Sequence, residues 1–173
     1  GIWFQLFGGY QNLKNDLLYS YSSLSDTSIG TVSTMLAFTQ IHTDNVYAGI
    51  KLTYDYKDVL SLSAHYIYRN WNSDNNEYLL AVKPENEASI SLNVHPTSAL
   101  QLNAGFDYIS RKKEATSFNM SDISDLHIGA SYNVFKGVSV YAQVHNLLNK
   151  KYQYYLGYPA EGFNFLGGLS FRF

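Results

Sequence analysis

The sequence predicts an all-β fold, an antiparallel up-and-down meander forming a transmembrane β-barrel or barrel segment of about 8–10 strands. Three observations carry that prediction. Apolar and polar residues alternate with a period of two, the mark of strands with one greasy and one wet face. Connections alternate between tight turns and long polar segments. Aromatic residues are in excess, with 16 Tyr, 10 Phe and 2 Trp making 16% of the 173 residues against only 3 Pro, and aromatic side chains suit a pleated surface.

The elements follow in chain order. Strands are expected at 2–10, 16–25 and 30–42, where the pattern is least clean, because Gln11 to Gly30 is rich in Ser and Asn and reads equally as loop. The link His42-Thr43-Asp44-Asn45 is assigned to the long-loop side, ahead of a strand at 45–56. A tight turn, Tyr56-Lys57-Asp58, leads into 59–70, where Leu60, Leu62, Ala64, Tyr66 and Tyr68 oppose Ser61, Ser63, His65 and Arg69. After the polar stretch Asn70 to Asn86, strand 87–95 sets Ala88, Ile90, Leu92 and Val94 against Ser89, Ser91 and Asn93. The second tight turn, His95-Pro96-Thr97-Ser98, opens strand 99–111, in which Leu100, Leu102, Ala104, Phe106 and Tyr108 face away from Gln101, Asn103, Gly105 and Asp107. Arg111 to Asp122 is long and polar, and strand 123–133 then places Leu126, Ile128, Ala130 and Tyr132 opposite His127, Gly129, Ser131 and Asn133. Phe135-Lys136-Gly137 is the third tight turn, with Gly137 at the left-handed position. Strand 138–147, a long segment from Leu147 to Gly162 and a last strand at 163–173 complete the chain. No helical stripe, linker or internal repeat interrupts this rhythm, so residues 1–173 read as a single barrel segment. Short turns at one end and long loops at the other are the pattern of an outer-membrane barrel.

Composition removes other classes. The mean hydropathy is −0.20, and no run approaches the roughly 18 apolar residues a spanning helix needs. A formal net charge of −2 supplies no electrostatic footprint for nucleic acid. With no cysteine, disulfide scaffolds, thiolate metal sites and cysteine nucleophiles are excluded. The chain opens on Gly1-Ile2-Trp3-Phe4 with no basic leader region, and so reads as mature, trimmed or recombinantly cut.

Alternation alone also fits a soluble lipocalin-like barrel with its apolar residues inside. Strand length favours the membrane, because the clear stripes run over roughly ten positions, the span of a tilted strand in a bilayer. Tyr54, Tyr68, Tyr108 and Tyr132 close their apolar stripes, where amphipathic rings form an interfacial girdle. The last strand puts Phe163, Phe165, Gly167, Leu169, Phe171 and Phe173 on one face. Gly168, Phe171 and Phe173 resemble the assembly signal of bacterial outer-membrane barrels, which implies the barrel assembly machinery as a partner. Leu166 stands where that signal usually has a polar residue.

Upstream of this strand lies Val144-His145-Asn146-Leu147-Leu148-Asn149-Lys150-Lys151-Tyr152, followed by Gly157-Tyr158-Pro159-Ala160-Glu161-Gly162-Phe163. Together with Gly167-Gly168-Leu169-Ser170-Phe171-Arg172-Phe173, this resembles the C-terminal end of TonB-dependent outer-membrane receptors, with Asn146, Leu147, Asn149, Tyr152 and Gly162 as the matching motif. Glu161-Gly162-Phe163 stands where that family usually has Pro-Gly-Arg. The resemblance implies a bacterial outer-membrane location, outer-membrane lipid and lipopolysaccharide as surroundings, and a role in nutrient uptake of the siderophore, cobalamin or glycan class. The family encloses a plug domain in a barrel of about 22 strands. The chain is too short for either, and reads as the C-terminal barrel portion without a plug, coupled to TonB only through that absent plug. It is then a wall and loop segment without autonomous transport. For the piece by itself, closure into a small barrel is the expectation, since open edges in lipid are costly.

Candidate chemistry is sparse. The Gly137 hairpin places His127 directly across from His145 on the polar face, so these two are the weak candidates for a shared metal ion, with no third ligand fixed by sequence. His65, Asp107 and Ser131 also face the polar side, but nothing in the sequence draws them together, and no enzyme activity and no cofactor are expected. Arg69, Arg111, Lys112, Lys113, Lys150 and Lys151, six of the 12 basic residues, fall at long-loop ends. There Arg111, Lys112, Lys113, Lys150 and Lys151 are candidate contacts for lipopolysaccharide phosphates. Trp71, Tyr152, Tyr154, Tyr155 and Tyr158 are candidates for a vestibule that holds a small nutrient ligand. The alternatives are an independent small outer-membrane barrel, binding or enzymatic, and a soluble lipocalin-like binder.

Overall fold

The computed structural model describes residues 1–26, 31–73, 77–111 and 120–172. Its strands are β1 (Ile2–Asp26), β2 (Thr31–Tyr56), β3 (Leu60–Ser73), β4 (Pro84–Val94), β5 (Leu100–Arg111), β6 (Ile123–Phe135), β7 (Val138–His145), β8 (Gln153–Tyr155), β9 (Tyr158–Pro159) and β10 (Asn164–Phe171). A short 3₁₀ turn, Glu77–Val82, sits in the β3–β4 connection. One antiparallel sheet runs β1-β2-β3-β4-β5-β6-β7-β10, and β8 and β9 form a separate small hairpin. The sheet is the meander expected from the alternation, with eight strands.

Cross-strand register explains why the sheet is one surface. Ile2 pairs with Tyr54, Tyr54 with Leu62, Leu62 with Leu92, Leu92 with Ala104, Ala104 with Ile128, Ile128 with Val144, and Val144 with Phe165. That row crosses all eight strands without a polar residue. The neighbouring row on the other face reads Trp3, Thr53, Ser63, Ser91, Gly105 and His127. A slip of one residue in any strand would bring the two faces together.

On the central strands the polar face is the better covered, though His65 and Gln101 on it are exposed: Gly105 is buried and Ser63, Ser91 and Asn103 are half-buried, whereas Ile50, Ile90 and Ile128 on the apolar face are 43%, 51% and 42% exposed. An apolar exterior around a polar interior inverts the lipocalin arrangement and matches a wall that faces lipid. The buried hydrophobic residues lie elsewhere, at the long-loop end, where Leu18, Ile41, Trp71 and Leu80 pack together with Val82 against them.

Two expectations are corrected. First, residues 2–25 and 30–56 are not four strands joined by loops, because β1 and β2 are continuous strands of 25 and 26 residues. The polar residues that suggested loop bond to each other across the hairpin: Tyr10 Oη and Asn12 Nδ2 donate to Asp44 Oδ1 at 2.5 and 2.8 Å, and Asn45 Nδ2 donates to Gln11 Oε1 at 2.9 Å. A bulge between Leu13 and Asp16 absorbs the change of register. Second, the sheet is open. Among the described residues β1 pairs only with β2 and β10 only with β7, and edges of 25 and 8 residues cannot match row for row.

Candidate ligand vestibule at the loop-bearing rim

The rim is built by polar groups that tie the loops down. Lys83 Nζ meets Asp16 Oδ2 at 2.7 Å and lies 4.6 Å above the Trp71 ring, and Thr43 Oγ1 donates to the same carboxylate oxygen at 2.7 Å. Trp71 Nε1 donates to the Pro84 carbonyl at 2.8 Å. These bonds fix the β3–β4 connection against the extended β1–β2 hairpin. Trp71, an expected vestibule residue, is therefore part of the buried loop core.

Arg111 makes the second tie. It is buried, and its guanidinium donates to the carbonyls of Val82 (3.3 Å), Ser121 (2.9 Å), Gln153 (3.0 Å) and Tyr154 (3.2 Å). One side chain at the end of β5 thus gathers three loops. Burial and four backbone acceptors make Arg111, one of the expected lipopolysaccharide contacts, a loop tether. Lys150 and Lys151 remain exposed, and Lys112 and Lys113 lie outside the described residues.

The motif Asn146 to Tyr152 makes the third. Asn146 adopts φ of 47°, a left-handed conformation that Asn tolerates better than most residues. Buried, it donates from Nδ2 to the carbonyls of Lys150 (2.9 Å) and Glu161 (3.0 Å) and accepts from the Lys150 amide (2.9 Å). Asn149, at φ of 48°, accepts from the Phe163 amide at 3.1 Å, and Gly162 sits against that same side-chain oxygen. Leu147 donates its amide to the Leu126 carbonyl at 2.8 Å, while its side chain is exposed. Tyr152 is buried beside Tyr154, ring centroids 5.4 Å apart. Burial, reinforced by the Tyr154 hydroxyl, pushes its phenol well above the usual tyrosine range. The motif closes the β7–β10 connection upon itself and presents the β8–β9 hairpin.

Between these ties opens a pocket of about 330 Å³, lined by Leu17, Val82, Ile109, Met120, Ile123, Tyr154 and Tyr155 above Arg111. Its lining is mainly apolar, with Lys83 and Arg111 as the charged members and exposed tyrosine rings, the composition of a small-molecule site. Tyr154 and Tyr155, two of the expected vestibule residues, line this pocket. Leu17, Met120 and Ile123 were not among those expected, since single apolar residues in polar segments carry no periodic signal. Tyr158 is exposed and lies off the pocket.

The remaining predicted residues are dispersed. His127 and His145 are brought together as expected, ring centroids 5.7 Å apart, with Asp107 Oδ2 at 3.8 Å from His127 Nδ1. Among the described residues no group of three His, Cys, Asp or Glu side chains has metal-holding geometry. His65 and Asp107 lie in one row with Ser89 between them, about 10 Å apart at two strand spacings. Ser131 pairs with Gln101, six residues along β5 from Asp107 and so about 20 Å away. No hydrolytic constellation forms from these three. Gly168 lies on the inner face under the Tyr141 ring, a packing reason for a glycine there. Phe171 is exposed on the apolar face, and Phe173 lies outside the described residues.

Solved structures repeat this architecture across the entire chain. The copper transporter OprC matches 99% of it with a TM-score of 0.70 and 15% identity. P. aeruginosa FpvA bound to heterologous pyoverdines matches 98%, with a TM-score of 0.68 and 13% identity. A mutant of the ferric enterobactin receptor PfeA from Pseudomonas aeruginosa matches 98%, with a TM-score of 0.65 and 17% identity. The fold is that of an outer-membrane barrel wall. OmpT, an outer-membrane protein of Vibrio cholerae, shares it more loosely, with a TM-score of 0.53 and 15% identity over 99% of the chain. The chain spans 30%, 24% and 29% of OprC, FpvA and PfeA, so the match is to a sector of each wall. No family profile matches the chain, and no curated protein matches it significantly.

Proposed function

We propose that the chain is the C-terminal wall of a TonB-dependent receptor in a bacterial outer membrane, taking part in uptake of a nutrient of the ferric siderophore, cobalamin or glycan class. The observation that carries this reading is the unbroken apolar row from Ile2 to Phe165 across eight strands, backed by a polar face and crowned by tied loops. The terminal motif and the whole-chain likeness to a copper transporter and two iron-related receptors support it. In this reading the outer face meets lipid, Lys150 and Lys151 meet lipopolysaccharide, the barrel assembly machinery inserts the wall, and TonB acts through a plug that these residues do not include. The rim pocket is one wall of the ligand vestibule, and the chain has no catalytic role.

Surface labelling tests the reading. In intact Gram-negative cells expressing the barrel that carries these strands, a membrane-impermeant maleimide is expected to label Tyr155→Cys at the rim and to leave Lys57→Cys at the tight-turn end unlabelled until the outer membrane is permeabilised. Equal labelling of both positions in intact cells overturns it. Ferric enterobactin, cyanocobalamin and maltohexaose, each titrated calorimetrically against the detergent-folded chain, separate the three substrate classes, and saturable binding of none of them removes the vestibule.

A further inference from the structure

A second pocket lies at the opposite end of the sheet from the rim, on the polar face. Its volume is about 600 Å³, and Ser98, Asn133, Lys136, Ser139, Ser170 and Arg172 contribute its polar lining. None of its lining residues is acidic. Among the described residues, the ion pairs engage His42, Arg69, Lys83 and His127, and neither Lys136 nor Arg172 has a carboxylate partner.

The fold brings these two cations together. The Arg172 amide donates to the Gly137 carbonyl at 2.7 Å, which clamps the end of β10 onto the turn that carries Lys136. Gly137, at φ of 81°, has Arg172 O where a side chain would go, so the clamp and the turn require each other. Ser139 Oγ donates to Asn133 Oδ1 at 2.7 Å. That bond uses one lone pair of the amide oxygen and fixes the orientation in which the Asn133 NH₂ group donates. Ser170 pairs directly with Ser139 across β7 and β10. The pocket therefore offers two positive charges, an amide donor and hydroxyls, with no carboxylate among its lining residues.

We propose that this pocket binds a phosphate monoester on a small solute about the size of a sugar phosphate. A monoester carries about −1.5 to −2 charges near neutrality, which two cations balance. The guanidinium fork suits phosphate oxygens and the lysine adds a point charge. A volume of about 600 Å³ lies within the range of about 300–1,000 Å³ usual for organic ligands, and exceeds what inorganic phosphate fills.

Calorimetric titration of the full chain, folded in zwitterionic detergent at low salt, tests this with glucose 6-phosphate, inorganic phosphate and glucose. Glucose 6-phosphate is expected to bind saturably, inorganic phosphate more weakly, and glucose not at all. Arg172→Gln and Lys136→Gln should each weaken glucose 6-phosphate binding by about 10-fold or more, the scale of a lost charge-assisted bond, with the β-sheet circular dichroism unchanged. Absence of saturable binding by either phosphate overturns the proposal, as does wild-type affinity in the double variant. Equal affinity for the two phosphates overturns the assignment of an organic ester. Because the pocket is remote from the rim, these outcomes are independent of the vestibule titrations.

Discussion

Replacing Leu52 by arginine tests the direction of the sheet in lipid. Leu52 is on the apolar face, 39% exposed, between Phe4 on β1 and Ala64 on β3. The apolar stripe of β2 runs from Val46 to Tyr56. At about 3.4 Å per residue and a tilt of roughly 40°, it covers about 26 Å along the membrane normal, close to the height of an outer-membrane apolar band. Leu52 is four positions from Tyr56 and six from Val46, which puts it about 3 Å from the midplane. An arginine there costs about 2–4 kcal/mol, whereas at Tyr56, on the boundary, it costs about 0–1 kcal/mol. Thr53, the next residue, faces the polar interior, so Thr53→Arg is expected to cost less than about 1 kcal/mol. Urea titrations of the barrel that carries these strands, folded into phospholipid vesicles and followed by tryptophan emission, resolve these differences, since 2–4 kcal/mol is roughly a 30- to 1,000-fold change in the folding equilibrium. A loss at Thr53 equal to or greater than that at Leu52 would refute the assignment of faces.

Other consequences are local. Asn146→Ala strips two donated bonds and one accepted bond from a buried site and is expected to cost about 2–4 kcal/mol. It should release the backbone at Lys150 and Lys151 for cleavage by trypsin while sheet circular dichroism is retained, and unchanged trypsin resistance would count against the tie. Gly105→Val pushes a side chain into the space of the His127 ring and is expected to cost about 1–3 kcal/mol. Adding His127→Ala should recover much of that loss, and strict additivity of the two changes would show that the ring is not what the valine meets. Tyr152 is an acid whose folded pKa lies above its unfolded value, so its contribution is complete below about pH 10 and is lost as pH rises through the folded pKa. Protease resistance of the β7–β10 connection should fall at alkaline pH in the wild type and less steeply in Tyr152→Phe. Identical pH profiles would remove Tyr152 as the cause.

The sheet was legible because register depends on a pattern of two that the sequence displays openly from Leu60 onward. Even the facing of His127 and His145 follows from one turn, Phe135-Lys136-Gly137, whose glycine leaves little choice of pairing. Reading failed where polar side chains satisfy one another inside a strand pair. Asn12, Thr43, Asp44 and Asn45 look like loop by composition, and only the partner strand reveals Tyr10, Gln11 and Asp16 as their acceptors and donors. Arg111 shows the same limit at the rim. A basic residue at a strand end reads as a surface charge, yet its four backbone acceptors come from segments up to 43 positions away. The pocket above it combines single residues from five parts of the chain, and no local motif records such a convergence.

The lipid-facing surface and the open sheet impose opposing demands. Along an edge strand roughly every second residue turns its N–H and C=O outward, and each such group left unsatisfied in hydrocarbon costs several kcal/mol. For β10 alone, with 8 residues, that is a penalty larger than the whole stability of an ordinary domain, about 5–15 kcal/mol. β1, at 25 residues, carries a heavier penalty over the part of it that crosses the apolar band. An isolated open sheet with this exterior therefore does not persist in a bilayer. Self-closure would have to join edges of 25 and 8 residues, leaving most of the longer one unpaired. Flanking strands on both sides satisfy each edge over its own length, and a wall of which these eight strands form a sector, as the proposed receptor supplies, reconciles the apolar exterior with the open edges.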